Sequence, residues 1–356
     1  MSEVLITGGA GFIGCELSRA LLAAGHRVTC LDVLHPQVHA ERGRPARLPL
    51  EATLLTGDVT QPTTWDAVLR LVTPQVVVHL AAETGTGQSF TEASRHGSVN
   101  VVGTTQLLDG LLRHDAIPDH LVVASSRAVY GEGAWQAADG RVVHPGPRRA
   151  VDLAGGTFAP LDEGGVPLVT PLASRADTTA PAPSNIYAAT KLAQEHVLAA
   201  WCAGTGAALS ALRLQNVYGP GQSLTNSYTG VLALFARLAA AGERIDVYED
   251  GEILRDFVHV ADVVQALTAA VTDPPRSRPR LLDVGYGQPV TIVEVARRVA
   301  EVAGAPEPAV SGRFRAGDVR AASCDISRTT EELGYVPTWP VDQGLADLVA
   351  WVRETS

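Results

Sequence analysis

The chain has 356 residues, enough to bury the core of one large domain or of two modest ones. Its formal net charge of −10 argues against a general nucleic-acid binder and against a protein that docks on anionic membranes. No apolar run reaches about 18 residues without a charge, so we expect no membrane span. A predicted strand begins too close to the first residue to leave room for a signal peptide, and we expect a cytoplasmic protein.

The stretch from Val4 to Gly14, V-L-I-T-G-G-A-G-F-I-G, predicts a buried strand followed by a glycine-rich turn. Gly8, Gly11 and Gly14 are spaced three apart, and a helical pattern over Glu16–Ala24 follows them. Glycines let the backbone approach a pyrophosphate, and a helix N-terminus offers free N–H groups and the positive end of its dipole. The stretch therefore predicts a dinucleotide site; a turn that needs glycines only for packing is the alternative.

A second predicted strand, Arg27–Leu31, ends at Asp32, 18 residues after Gly14. In dinucleotide-binding folds, an acidic residue at about this distance holds the ribose by its hydroxyls. A carboxylate there repels a 2′-phosphate, so the sequence predicts NAD rather than NADP. His35 and His39 follow, but Pro36 disfavours a helix between them and no third ligand is evident, so no metal is predicted.

The next predicted strands are Thr53–Leu55 and Gln75–Leu80. Asp58, followed by Val59, lies where a carboxylate could accept from the adenine amino group; a turn aspartate is the alternative. Ala81 and Ala82 follow Leu80, and such small residues allow the backbone to press against a dinucleotide. A helix is predicted over Ser98–His114, and it carries Asn100.

The fifth predicted strand, Leu121–Ala124, leads into Ser125, Ser126 and Arg127. Hydroxyls at the carboxyl end of a parallel strand face the crevice where ligands bind. Residues 132–183 are rich in proline and glycine and interrupt the alternation of strands and helices. Insertions of this length are more often functional lids or surface modules than plain loops.

Tyr187 and Lys191 lie four residues apart at the start of the next predicted helix and share one face of it. An ammonium group beside a phenol favours the phenolate and lowers the pKa of the phenol. The pair can then act as a general base near neutral pH. A Tyr-x-x-x-Lys pair is common by itself, and it gains weight from the glycine turn and the two serines upstream.

Several ordered motifs make the chain resemble the extended short-chain dehydrogenases/reductases of the nucleotide-sugar epimerase and dehydratase family, from Val4 to about Arg328. The motifs are T-G-G-A-G-F-I-G, Asp58-Val59, H-L-A-A, the Ser–Ser strand end, Tyr187-x-x-x-Lys191, L-R-L-Q-N-V-Y-G-P-G, R-D-F-V-H-V-A-D and A-G-D-V-R. The resemblance implies an α/β protein. Its residues 1–218 would form a Rossmann-type, doubly wound parallel sheet that holds NAD, with an insertion at about 132–183. Its residues 219–356 would form a smaller α/β domain that grips a nucleotide diphosphate sugar, with the boundaries of the two domains interleaved along the chain.

The resemblance also assigns roles by motif position. Tyr187 corresponds to the base, Lys191 to its partner and Ser126 to a hydroxyl that shares a proton with the sugar. The expected cofactor-binding residues are Gly8, Gly11, Phe12, Ile13, Gly14, Asp32, Asp58, Val59, Leu80, Ala81, Ala82, Asn100, Tyr187 and Lys191. The expected substrate-binding residues are Thr86, Ser126, Arg127, Asn216, Arg255 and Arg315, of which Asn216, Arg255 and Arg315 would meet the diphosphate.

The residues at positions 127 and 128 narrow the choice among the reactions of the family. The 4,6-dehydratases of the family carry an acidic pair where this chain has Arg127 and Ala128, and the nucleotide-glucuronate decarboxylases carry a Glu at the second position. The family's reductases usually favour NADPH, whereas the carboxylate of Asp32 favours NAD. Epimerisation at carbon 4 remains, because it needs only Tyr187, Ser126 and NAD. A redox enzyme that releases NADH and a non-catalytic binding protein stay open as alternatives.

Finer similarity lies in A-A-E-T-G-T-G-Q-S from Ala81, S-S-R-A-V-Y-G-E-G from Ser125 and the Q-N-V-Y-G-P-G-Q-S run from Gln215. These stretches resemble the branch of dTDP-L-rhamnose 4-epimerases, which make dTDP-6-deoxy-L-talose, so a dTDP-linked sugar is the expected substrate. Members of that branch often carry cysteine pairs in the insertion, whereas residues 134–183 of this chain contain none. The resemblance further implies a homodimer formed by the helices predicted over Ser98–His114 and Ala188–Gly204.

Overall fold

The computed structural model describes residues 1–39, 43–224 and 230–355. Its centre is a seven-stranded parallel sheet in the order β7-β6-β5-β4-β1-β2-β3. Most of its strands are buried nearly throughout, as expected when helices cover both faces of a parallel sheet. The strands are β1 (Glu3–Thr7), β2 (Arg27–Asp32), β3 (Thr53–Thr56), β4 (Val76–His79), β5 (His120–Ser126), β6 (Ala208–Leu214) and β7 (Arg280–Val284).

Two layers of helices cover this sheet. One face packs against the helices Phe12–Ala23, Val260–Thr272 and Ser327–Leu333, and the other against Pro62–Leu69, Gly103–Arg113 and Ile186–Thr205. Alternate residues of β1 divide between the two cores, Val4 and Ile6 facing the first and Leu5 the second. The predicted doubly wound Rossmann-type sheet is therefore confirmed.

The strand order reverses beside β1, since the chain moves from β1 to β3 on one side and then crosses to β4 on the other. Ligands bind in α/β proteins at such a switch point, beyond the carboxyl ends of the strands. The register places Thr7 of β1 opposite His79 of β4, and Ser126 of β5 opposite Leu214 of β6. The segments that follow these residues consequently meet at one edge of the sheet.

The helix predicted over Ser98–His114 differs from the structure in its first turns. Residues Gly97–Val102 form a π-helical turn, and the α-helix proper spans Gly103–Arg113. Gly103 packs tightly here, because a Cβ on it would lie 2.8 Å from a methyl carbon of Val59. π-Turns of this kind occur often at functional sites.

A second core lies between three further helices, Val231–Ala240, Ile292–Ala303 and Val341–Thr355. Between the first two of these helices, the chain returns to the central sheet through the helix Val260–Thr272 and β7. The chain therefore passes from one part to the other more than once. Short strand pairs join the elements of this second part: Asn216–Tyr218 with Phe257–His259, Asp246–Val247 with Ala309–Val310, and Leu254–Arg255 with Val290–Thr291 and Ala321–Ala322.

The insertion at 132–183 forms a small antiparallel sheet of Trp135–Gln136, Val142–Val143 and Thr170–Pro171, with one short helix, Ala150–Ala154. Arg148 anchors it, because this buried guanidinium bonds the Glu249 carboxylate through both terminal nitrogens, at 2.8 and 2.9 Å. The same side chain reaches Glu132 at 3.1 Å. The insertion is thus a module tied to the second core. None of the helices in the described ranges is long and apolar enough to traverse a bilayer.

A buried ion pair joins the helix Ile186–Thr205 to the sheet. The carboxylate of Glu195 accepts hydrogen bonds from Arg213 of β6 at 3.0 and 2.7 Å, and it also accepts one from the Ser125 hydroxyl. Arg213 and Glu195 expose only 2% and 8% of their side chains, so neither charge has water as a substitute partner.

We predict that Glu195→Gln lowers the free energy of unfolding by about 3 kcal/mol, because the Arg213 charge then stays buried without a counter-charge. Urea denaturation of the two proteins measures this difference. Asp152→Asn is the matched control, since Asp152 pairs with Arg149, whose side chain is 70% exposed. The free energy of unfolding of this control should fall by no more than about 1 kcal/mol. Equal losses in the two variants would contradict the prediction.

Candidate active site

A cavity of about 550 Å³ opens at the carboxyl edge of the sheet. It is of the size that small-molecule and cofactor sites have in other proteins. Fourteen of the residues singled out in the sequence line it: Gly8, Gly11, Phe12, Ile13, Gly14, Asp32, Asp58, Val59, Leu80, Ala81, Ala82, Ser126, Tyr187 and Lys191. The parallel strands thus bring the glycine turn, the acidic residue and the Tyr–Lys pair to one place.

The glycine turn has no room for side chains. Gly8 has a φ of +68°, and a Cβ on it would lie 2.9 Å from the backbone nitrogen of Ala81. A Cβ on Gly14 would lie 2.5 Å from the carbonyl oxygen of Gly8. The helix Phe12–Ala23 begins at this turn with neither a side-chain cap nor an acidic residue in its first turn, so its N–H groups are open to an anion. The cradle fits the pyrophosphate of NAD.

Asp32 is held rigidly at the end of β2. One carboxylate oxygen accepts the N–H of Ala10 at 3.0 Å, and the other accepts the N–H of Leu34 at 2.9 Å. His39 approaches the second oxygen at 3.7 Å. The orientation of the carboxylate is therefore fixed before any ribose binds, as the predicted role requires.

Asp58 and Asn100 have contacts of their own within the protein. Asp58 accepts the N–H of Thr60 at 2.8 Å, so it is a turn aspartate that also lines the cavity. Asn100 does not line the cavity. It bonds the backbone of Glu83 at 2.7 and 3.0 Å and the Thr190 hydroxyl at 2.9 Å. It therefore fixes the segment after β4 that forms one wall of the cavity.

The Ser126 hydroxyl lies beside the Tyr187 phenol in the cavity. Burial raises the pKa of Tyr187, while the neighbouring Ser126 hydroxyl and the charge of Arg127 act in the opposite direction. Lys191 does not lower that pKa as the sequence led us to expect. Its ammonium group donates to the Gln194 side chain at 2.6 Å, and burial lowers the pKa of Lys191 to about 8.

The residues expected to bind substrate are not all brought together. Arg127 lies next to the catalytic pair, and burial lowers its pKa. Burial lowers the pKa of Arg255 to about 9, and the charge of the nearby Arg127 is the second cause of this shift. Arg255 donates to backbone carbonyls, among them that of Val319 at 2.8 Å. Asn216 lies on the short strand after β6, and its side-chain oxygen lacks a partner within the described residues.

Thr86 and Arg315 lie outside the cavity lining. Thr86 is the first residue of the short helix Thr86–Thr91. Arg315 stacks over the ring of Tyr248 at 5.2 Å, in a separate shallow depression that it shares with Arg313. Arg315 thus lies apart from the cavity, and its diphosphate contact stays a prediction.

Several polar residues at the site were not singled out in the sequence. Gln194 accepts a hydrogen bond from the Lys191 ammonium group, and Glu195 accepts one from the Ser125 hydroxyl. Gln215 lines the cavity next to Leu214. Gln215 was recognisable, because it is a polar residue at the carboxyl end of a buried parallel strand. The other two lie about two helical turns from Tyr187 and look like ordinary helix residues. Across the ranges that the structure covers, no three His, Cys, Asp or Glu side chains are grouped closely enough to hold a metal ion.

Comparison with known proteins agrees with this site. Residues 4–151 and 156–285 match the NAD dependent epimerase/dehydratase family, and the chain belongs to that family. It is 51% identical to the dTDP-L-rhamnose 4-epimerase of Burkholderia thailandensis, over 99% of this chain and 95% of the relative. The Thermus thermophilus UDP-glucose 4-epimerase in complex with NAD is 28% identical, with a TM-score of 0.77 and coverage of 99% and 100%. The Thermotoga maritima UDP-glucose 4-epimerase with UDP-glucose is 26% identical, with a TM-score of 0.78 and coverage of 99% of each chain.

These relationships confirm three sequence predictions. The protein is an extended short-chain dehydrogenase/reductase, it has the Rossmann-type fold and it is an NAD-dependent nucleotide-sugar epimerase. The glycine cradle, Asp32 and the wall at Leu80–Ala82 would hold NAD, which would supply hydride transfer when bound. The individual residue roles remain predictions.

We predict that the protein binds NAD about tenfold or more tightly than NADP, because a 2′-phosphate placed beside the Asp32 carboxylate is repelled. Asp32→Ser should reduce that ratio by about tenfold, as measured by titration with both cofactors. Asp58→Ser is the control, since Asp58 also lines the cavity and should change both affinities by the same factor. Equal or tighter NADP binding by the unmodified protein would refute the prediction.

Proposed function

We propose that this protein interconverts dTDP-L-rhamnose and its 4-epimer, dTDP-6-deoxy-L-talose, by NAD-dependent epimerisation at carbon 4. The observation that carries the proposal is the pairing of Tyr187 with Ser126 in the dinucleotide cavity, with Arg127 and Ala128 beside it instead of carboxylic acids. Moving the sugar hydroxyl proton needs that pair, whereas dehydration also needs acidic groups at those two positions. The 51% identity to a dTDP-L-rhamnose 4-epimerase supports this choice of sugar and nucleotide.

In the proposed mechanism, the Tyr187 oxygen takes the proton from the hydroxyl at carbon 4, and Ser126 shares it. The carbon-4 hydride would leave to NAD, which supplies hydride transfer when bound, and the resulting 4-keto sugar would turn over so that the hydride returns to its opposite face. Tyr187 and Ser126 then give the proton back to the epimeric hydroxyl. The positive charge of Arg127 favours the phenolate, which burial otherwise opposes.

The cations around the site suit a diphosphate. Arg127 makes no side-chain hydrogen bond to any residue in the described ranges, and Arg255 bonds neutral carbonyls rather than a carboxylate. Two guanidinium groups that lack direct anionic partners and lie near each other favour an anionic ligand. We therefore retain Arg127, Arg255 and Asn216 as proposed contacts of the nucleotide sugar. Thr86 and Arg315 would need the ligand to draw their segments inward.

Other chemistries of the family are less well supported. A dehydratase or decarboxylase lacks its carboxyl groups at positions 127 and 128. A reductase that consumes NADPH conflicts with the fixed carboxylate of Asp32. A non-catalytic binding protein would not need Tyr187, Ser126 and Lys191 to line one cavity. We propose the cytoplasm as the compartment, where NAD and nucleotide sugars are available and where the four buried, unpaired cysteines stay reduced.

The reaction can be tested with a panel of dTDP-, UDP-, GDP- and CDP-sugars followed by NMR of the products. We expect dTDP-L-rhamnose to yield its 4-epimer without net NADH formation and with carbon-4 deuterium retained. In D₂O, carbons 3 and 5 should stay unlabelled, because only the hydroxyl proton exchanges with solvent. Deuterium at carbon 5 would contradict simple epimerisation at carbon 4, and turnover of a different nucleotide sugar alone would contradict the substrate.

Tyr187→Phe is the catalytic variant for the same assay. Removing the phenolic oxygen should lower turnover about 10²–10⁴-fold, the usual scale of general acid–base catalysis, with little change in NAD affinity. Near-normal turnover of the variant would remove Tyr187 from the proposed role.

We also propose a homodimer built on two neighbouring helices. The outer surface of the segment Gly97–Arg113 exposes Val102 and Leu112, with 44% and 51% of their surface accessible. Beside it, the helix Ile186–Thr205 exposes small residues, among them Ala189 and Ala200. Such a surface allows helices of two copies to pack closely. Light scattering at micromolar concentration should show about twice the chain mass of 37.3 kDa, and Val102→Glu should shift the protein toward monomer. A wild-type protein that is wholly monomeric would contradict the dimer.

A further inference from the structure

Gln215 is a deeply buried glutamine whose amide has no adequate partner. The residue is only 5% exposed, and within the described part of the chain neither Nε2 nor Oε1 has a hydrogen-bond partner of good geometry. The thiol of Cys324 approaches this amide, but thiols are weak donors and acceptors. A buried amide without partners raises the free energy of the folded state, and such groups concentrate at functional sites.

Gln215 lies close to the proposed reacting residues, Ser126 and Tyr187. The register of the sheet pairs Ser126 with Leu214, so Gln215 is the next residue beyond the partner of Ser126. Its backbone N–H bonds the carbonyl of Val284 at 2.8 Å, which fixes the main chain there. Gln215 lines the cavity that also contains Tyr187 and Lys191.

A second, much smaller cavity adjoins the same side chain. It measures about 10 Å³ and is lined by Gln215, Arg127 and Ser323, among others. It has room for about one water molecule at most. Gln215 therefore lies between the NAD cavity and Arg127, where the sugar ring would lie if the proposed function is correct.

We propose that the Gln215 amide binds the sugar ring of the nucleotide sugar and is a specificity-determining residue of this enzyme. The inference rests on the proposed function. An amide offers both a donor and an acceptor, so it can pair with a sugar hydroxyl in either direction. This property suits an epimerase, which holds a ring whose carbon-4 hydroxyl points one way in the substrate and the other way in the product.

The test uses Gln215→Met, which keeps the length of the side chain and removes both polar atoms. Calorimetry on the NAD-loaded protein measures the dissociation constants for dTDP-L-rhamnose and for dTDP. We expect about tenfold weaker binding of dTDP-L-rhamnose and no more than about twofold change for dTDP, because dTDP lacks the sugar. The inference would be overturned if the variant bound both ligands more weakly by the same factor, or if it bound both as tightly as the wild type does.

Thermal unfolding without sugar nucleotide gives an independent readout. Gln215→Met should be at least as stable as the wild type, because it removes two unpaired buried groups. Gln88→Met is the matched control: Gln88 is 3% exposed, and its amide bonds Glu92 at 2.8 Å and Gln37 at 3.5 Å. The control should lose stability. A comparable loss in Gln215→Met would mean that its amide is satisfied internally, by a buried water or by Cys324, and would overturn the inference.

The two proposals fail in distinguishable ways. If the wild-type protein epimerises no nucleotide sugar, the proposed function fails whatever Gln215 does. If it epimerises dTDP-L-rhamnose and Gln215→Met binds dTDP-L-rhamnose as tightly as the wild type does, only the role of Gln215 fails.

Discussion

All seven strands of the central sheet run in one direction, and this constraint places the carboxyl end of each strand on the same edge. The segments after β1, β2, β4, β5 and β6 consequently converge, although they are far apart in the sequence. The approach is close enough that Gly8 and the segment after β4 meet through backbone atoms, with no space for a Cβ. The cofactor cavity, the Ser126–Tyr187 pair and the position of Gln215 all depend on this convergence.

The proposed catalytic groups are supported by a layer of buried polar contacts. Glu195 joins Ser125, which precedes Ser126, to Arg213, whose guanidinium stacks over Tyr130 at 4.7 Å. Tyr130 in turn donates to Asp283 of β7 at 2.7 Å, and burial raises the pKa of Asp283 to about 7. The network links three strands and a helix behind the site, so the position of Ser126 is set by more than its own backbone.

The insertion at 132–183 holds the loop of Asp318, Val319 and Arg320 in place. Arg148 donates to the carbonyl of Asp318 at 2.8 Å, and Glu132 accepts the N–H of Arg320 at 2.9 Å. The carbonyl of Val319, between these two contacts, accepts from Arg255. The insertion therefore holds the loop against which one of the proposed diphosphate ligands rests. The buried Arg148 guanidinium thus ties this cysteine-free insertion to the rest of the chain.

The sequence by itself determined the alternation of strands and helices, the NAD site and the Tyr–Lys pair, because these depend on local patterns. Glycines at fixed spacing, β-branched runs and an acid at the end of the second strand are each visible within a few residues. It also pointed to the family through motifs spread over nearly the whole chain, which the comparisons confirmed.

Only the tertiary structure decided which polar groups meet. It directed the Lys191 ammonium to Gln194, so burial outweighs the expected lowering of the Tyr187 pKa. It placed Arg315 on Tyr248 rather than in the cavity, and it paired β7 with β6 in the central sheet. It also left the amide of Gln215 without a strong partner. Burial, charge neighbours and hydrogen-bond partners come from residues distant in the chain, and a local pattern contains no information about those distances.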